Sequence, residues 1–142
     1  MANDTALGNW LTTQWAHTPR AFQVEVEGAR IACLGWNMDS VFLPGLVLVH
    51  GFRAHARWWD HIAPSFTDRY RVVALNLSGM GDSDRREAYS RAQNGREILA
   101  VAAACGFAPF TLVTHSFGTM GGILATKLAP EWIQRLIMID AG

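Results

Sequence analysis

The chain has 142 residues, half of them hydrophobic and only 17% charged, which suits one packed domain and excludes a disordered chain. Its 12 basic and 12 acidic residues cancel and lie scattered, arguing against a nucleic-acid footprint or a basic membrane-surface patch. Residues 1–10 have no basic segment leading into an apolar one, and residues 98–126, the longest charge-free stretch, are broken by Gly106, Pro109, His115 and Ser116, so neither a signal peptide nor a membrane span is expected.

Residues 1–20 show no periodicity and are expected to form an irregular lead-in. Phe22, Val24 and Val26 then alternate with Gln23, Glu25 and Glu27. Gly28 allows a turn and residues 30–36 make a second strand, so the pattern predicts a hairpin. Residues 46–49, 72–75, 110–113 and 136–139 are short continuous apolar runs, as in strands buried on both faces of a parallel sheet. Helical spacing fills the gaps: Trp59, Ile62, Ala63 and Phe66, with Pro64 set to end or kink that helix; Ile98, Val101, Ala102 and Cys105 before Gly106; and Met120, Ile123, Leu124 and Leu128 before Pro130. The order β-β-β-α-β-α-β-α-β predicts an α/β fold: three α/β/α layers around an open, mostly parallel sheet that opens with an antiparallel hairpin. Cys33 and Cys105 are too few for a disulfide framework and lack metal spacing, so they read as small buried hydrophobes in a reducing, cytoplasmic setting without a metal.

In such sheets the chemistry collects beyond the carboxyl ends of the strands. Thr114-His115-Ser116-Phe117-Gly118 lies between a strand and a helix. A nucleophile there needs a strained backbone, and Gly118 supplies the room that close strand–helix packing demands. A serine capping an ordinary helix is the plainer reading of Ser116; the strand–turn–helix context favours the nucleophile. His50-Gly51-Phe52 follows another strand. Gly51 lets that loop turn sharply, so the N–H groups of Phe52 and Phe117 can form an oxyanion hole, while His50 braces the loop by hydrogen bonding. The turn of residues 76–84, with its glycines and short polar side chains, is expected to be a tight, self-hydrogen-bonded flank of the site rather than a phosphate cradle.

Together these motifs resemble the N-terminal half of an α/β-hydrolase superfamily protein, over roughly residues 22–142, with residues 135–142 similar to the family's sixth strand. The resemblance implies that Ser116 is the nucleophile, that Phe52 and Phe117 supply oxyanion N–H groups, and that no cofactor is needed. A serine at the elbow argues against the epoxide-hydrolase and haloalkane-dehalogenase branches, whose elbow nucleophile is Asp. Thr114 stands where the family has its first elbow glycine, and Asn76 and Ser78 replace the commoner Asp and Arg, which is expected to loosen the polar bracing of that loop.

The family's catalytic histidine follows its eighth strand and its usual acid follows the seventh. Neither has a counterpart here, so residues 1–142 read as a single incomplete core without the cap region and last two strands. Some members place the acid at the end of strand six, where Asp140 stands, an arrangement similar to the cofactor-free quinolone dioxygenases. His17 and His61 read as surface positions, His115 as pointing away from Ser116, and His50 and His55 as the only histidines able to lean over the site.

The resemblance implies a serine hydrolase for an apolar or aromatic small-molecule ester, thioester, lactone or similar acyl substrate, with this chain alone inactive. The alternatives are a cofactor-free dioxygenase, haloperoxidase, lyase or carbon–carbon hydrolase, or a non-catalytic ligand-binding module. The apolar sixth strand, left as an edge, is expected to pair with a second polypeptide or a second copy.

Overall fold

A computed structural model describes residues 2–141. Helix α1 (Ala2–Trp15) leads into the hairpin β1 (Arg20–Val26) and β2 (Ala29–Trp36), followed by β3 (Gly45–Val49), two 3₁₀ turns (Ala56–Trp59 and Ala63–Phe66) and β4 (Arg71–Leu75). Then come α2 (Arg91–Ala104), β5 (Phe110–His115), α3 (Gly118–Leu128), a 3₁₀ turn (Pro130–Trp132) and β6 (Ile133–Ile139). The strands form one sheet in the order β1-β2-β4-β3-β5-β6. The β1–β2 and β2–β4 pairs are antiparallel, and β3–β4, β3–β5 and β5–β6 are parallel. This is the expected α/β sheet with its antiparallel opening.

Strand alternation splits the core in two. Val47, Val49, Val73 and Leu75 face α2 and α3, packing on Ile98, Val101 and Ala125. Leu46, Leu48, Val72 and Ala74 face the other way, onto Ala56, Trp59 and Ala63. Side chains of a strand point alternately to opposite faces, so a run apolar at every position is what a doubly covered strand needs.

Two expectations fail. Residues 59–66 do not form an α-helix; the chain makes two 3₁₀ turns, with Pro64 in the first turn of the second. Pro64 has no N–H to continue a helical ladder and its ring would clash with the preceding turn, so it can only begin one. The lead-in is not irregular, because Ala2–Trp15 is helical, with the Thr12 and Thr13 hydroxyls donating to the carbonyls of Gly8 and Asn9. Leu7, Trp10 and Trp15 of α1 stay exposed while Gln14 is buried. A surface helix docked by so little of itself leaves no apolar stripe in the sequence.

β6 forms the far edge of the sheet. Its Ile137, Met138 and Ile139 are 46%, 50% and 44% exposed. Among the described residues no helix is long and apolar enough to cross a membrane.

Candidate active site

β5 turns into α3 within two residues. Ser116 holds φ +47°, in the left-handed region, and Phe117 is already helical at φ −49°. That backbone costs a non-glycine residue roughly 1–2 kcal/mol, so the surroundings must impose it. The Ser116 N–H donates to the Ile139 carbonyl at 2.9 Å, and the Ser116 carbonyl accepts the Thr119 N–H at 2.9 Å. A Cβ on Gly118 would lie 2.5 Å from the His50 carbonyl oxygen, a backbone atom unable to move aside. Only glycine therefore lets α3 start so close to the end of β3. The turn leaves Ser116 exposed, and among the described residues its hydroxyl has no hydrogen-bond partner.

The His50-Gly51-Phe52 loop crosses this turn. A Cβ on Gly51 would sit 2.9 Å from His115 Nδ1 and 3.5 Å from Ser116 Cβ. The Phe52 and Phe117 rings meet with centroids 5.3 Å apart. Neither Phe52 N–H nor Phe117 N–H has a partner among the described residues. His50 is fully buried: its Nε2 accepts the Leu77 N–H at 3.1 Å, so Nδ1 carries the proton and donates to the Gly51 carbonyl at 2.7 Å. Burial pushes the His50 pKa below its ordinary 6.5 against the raising effect of the Gly51 bond. His50 is thus a neutral tie between two loops.

The other histidines lie apart. His17, His55 and His61 are exposed. The His115 ring stacks on Trp58 at 5.7 Å, with its Nδ1 buried and unpartnered. Among the described residues none hydrogen-bonds Ser116. Asp140 is exposed at φ +51°, one residue past Ile139, which pairs in register with His115. Asp140 and Ser116 therefore occupy neighbouring positions at one end of the sheet. Cys33 is buried and its thiol pKa raised far above the ordinary range, and burial pushes the Cys105 thiol up to about 11. Among the described residues no cluster of His, Cys, Asp and Glu is suited to a metal.

The turn after β4 keeps most of its bracing. Asn76 Oδ1 accepts the Ala56 N–H at 2.8 Å, and its Nδ2 donates to the Ala32 carbonyl at 2.8 Å. Ser83 Oγ donates to the Asn76 carbonyl at 2.6 Å, and Asp84 pairs with Arg30. Asn76 therefore does the bracing expected of the commoner Asp. Ser78 does not replace an Arg: its hydroxyl is buried and unpartnered.

Sequence reasoning missed three features here. Glu97 and Arg86 form an ion pair at 2.9 Å with side chains 0% and 7% exposed. Arg91 lies over the Phe117 ring, its Cζ 3.8 Å from the centroid. Ser90 caps α2, its Oγ accepting the Gln93 N–H at 3.0 Å. Only the cap left a local signal, a Ser followed three residues later by Gln. A groove of about 460 Å³ separates the turn after β4 from the start of α2 and reaches Phe52 and Phe117. A larger cavity of about 700 Å³ lies against β1 and β2, and no elbow residue lines it.

The Alpha/beta hydrolase family matches residues 46–142. Over 100 residues the chain is 34% identical to epoxide hydrolase 4 of Mus musculus, covering 68% of this chain and 28% of that protein. Over 100 residues it is 32% identical to pyrrolizixenacetamide deacetylase of Xenorhabdus hominickii, covering 69% of this chain and 38% of the relative. The crystal structure of a membrane phospholipase A, a bacterial virulence factor, superposes with a TM-score of 0.76 at 35% identity, covering 96% of this chain and 44% of that one. The chain thus spans less than half the length of each of these relatives.

Proposed function

The chain belongs to the alpha/beta hydrolase family, and from that premise we propose that the whole protein is a serine hydrolase of esters, thioesters, lactones or similar acyl compounds. The observation that carries this reading is Ser116 at φ +47° on the strand-to-helix turn, its hydroxyl free. Such a turn holds a nucleophile clear of the sheet and beside the helix N-terminus, with backbone donors from the next residue and from the loop after β3. In this reading Ser116 Oγ attacks the acyl carbonyl and its proton passes to a base. The carbonyl oxygen takes up negative charge between the Phe52 and Phe117 N–H groups. Collapse expels the alcohol, thiol or amine, and water then releases the acyl group. The base is supplied from outside these residues, since none of the described histidines bonds the Ser116 hydroxyl.

The named relatives include both an epoxide hydrolase and a deacetylase. Serine rather than Asp at the elbow favours the acyl side. A second reading, cofactor-free non-hydrolytic chemistry, is favoured by Asp140 directly following Ile139, whose carbonyl accepts the Ser116 N–H; there Asp140 serves as the orienting acid.

Intact-mass spectrometry of the full-length protein with a fluorophosphonate tests the first reading. One adduct is expected, on Ser116, with none in Ser116→Ala. Absence of an adduct on the wild type, or its persistence in the variant, overturns it. Acyl esters turned over beside an aromatic diketone and a hydroxyquinolone separate the two readings.

A further inference from the structure

The geometry points to an anion-binding subsite in the groove between the turn after β4 and the start of α2, where Arg91 receives a carboxylate or phosphate borne by the substrate. This rests on Ser116 being the nucleophile, because the groove is useful to the reaction only through its contact with the elbow.

Four observations converge there. The first is the position of Arg91. It is the first residue of α2, after the Ser90 cap, and the first turn contains no acidic residue. A helix N-terminus carries partial positive charge and favours acidic side chains. An arginine at that position is locally unfavourable, and a departure of this kind marks a functional position unless something compensates it. Among the described residues no carboxylate does: Arg91 is exposed and meets only the Phe117 ring.

The second is that the stack orients the guanidinium. With its Cζ 3.8 Å from the ring centroid, the guanidinium is held against the residue whose N–H faces the developing oxyanion. Its edge stays free for the paired hydrogen bonds that planar anions accept. A second cation, Arg53, lies over the adjoining Phe52 ring at 5.3 Å. Two cations thus flank the aromatic pair that lines one side of the groove.

The third is Ser78. It lines the groove, is 2% exposed, and its hydroxyl has no hydrogen-bond partner. A buried hydroxyl left unpaired is destabilising, and Ser78 lines the same groove as Arg91, so a turn of its side chain toward a bound anion would pair it. The fourth is that the nearby carboxylate is already spent. Glu97 accepts from Arg86, from the Ser78 N–H at 3.0 Å and from Asn94, so it does not compete for Arg91. The groove's cationic character is therefore available to a ligand.

The test uses the full-length enzyme with matched p-nitrophenyl esters. One acyl chain is neutral; the others end in a carboxylate or in a phosphonate, standing in for phosphate. Arg91→Gln is expected to raise KM for an anionic ester roughly tenfold, the loss of one charge-assisted contact, while KM for the neutral ester and kcat for all three stay within twofold. Which anionic ester suffers identifies the anion. A purely structural role for Arg91, propping Phe117, would instead lower kcat for every ester alike, and that result overturns the proposal. So does an unchanged KM for both anionic esters in a protein whose Ser116 takes the fluorophosphonate. A protein whose Ser116 takes no fluorophosphonate overturns the nucleophile assignment itself.

Discussion

Ser116 shows how few residues are needed to impose a conformation that a serine would not choose. Its left-handed backbone persists because the Ser116 N–H is tied to β6, its carbonyl to Thr119, and because Gly118 lets α3 begin against the His50 carbonyl. Thr114, where the family has glycine, is accommodated on the facing helix: Gly122 leaves space for the threonine methyl, and the Thr114 and Thr119 hydroxyls pair at 3.0 Å. His50 makes a residue-scale prediction. Its folded pKa lies below the 6.5 of the unfolded chain because burial disfavours the charged ring. Above that pH both states are neutral and the full stability is present. As pH falls below 6.5 the unfolded chain takes up the proton first, so stability declines until the folded pKa is passed, with a slope of at most about 1.4 kcal/mol per pH unit. Thermal melting between about pH 7 and pH 5 should show that decline, and in His50→Gln it should be flatter over the same range.

Between elements, the buried Arg86–Glu97 pair joins three segments distant in the chain. The guanidinium donates to the Val26 carbonyl at 2.7 Å and to the Glu27 carbonyl at 2.8 Å at the β1–β2 turn, while Glu97 belongs to α2 and also accepts the Ser78 N–H. Removing one partner leaves the other charge buried. Arg86→Met is therefore expected to cost about 3–5 kcal/mol in chemical denaturation, and the double change Arg86→Met with Glu97→Leu much less. Equal losses in the single and double variants would mean that the pair is not what holds these elements together. The same tie helps position the groove, because Glu97 fixes the turn after β4 against α2.

Across the whole molecule, β1 closes one side of the sheet and β6 the other. β1 is a hairpin strand with Glu25, Arg20 and Gln23 exposed along it, a polar edge that discourages pairing. β6 carries exposed Gln134 and Arg135 in its first half, but its second half has no such protection, with Ile137, Met138 and Ile139 partly exposed. We propose that this edge takes a further strand, from the rest of the protein or from a second copy. This chain alone is then expected to self-associate with rising concentration, and Met138→Lys to shift it toward monomer with an unchanged circular dichroism spectrum. Sedimentation velocity checks both; a wild-type chain that stays monomeric throughout would remove the edge as an interface.

The strands, the parallel sheet and the elbow were legible in the amino-acid order because each depends on a short window. Continuous apolar runs report burial on both faces, and a strand followed at once by Ser116 and Gly118 reports a turn that only certain residues tolerate. Helix α1 was not legible, since it contacts the body through too little surface to impose a stripe, and residues 59–66 misled because their helical spacing is cut by Pro64. The Arg86–Glu97 pair is anchored to the Val26 carbonyl 60 residues away, and the stack of Arg91 on Phe117 and the unpaired Ser78 hydroxyl likewise depend on how separate segments meet. No local preference encodes those meetings. Folding brings such groups out of water together, and only then does it become defined which charges are matched and which remain free for a ligand.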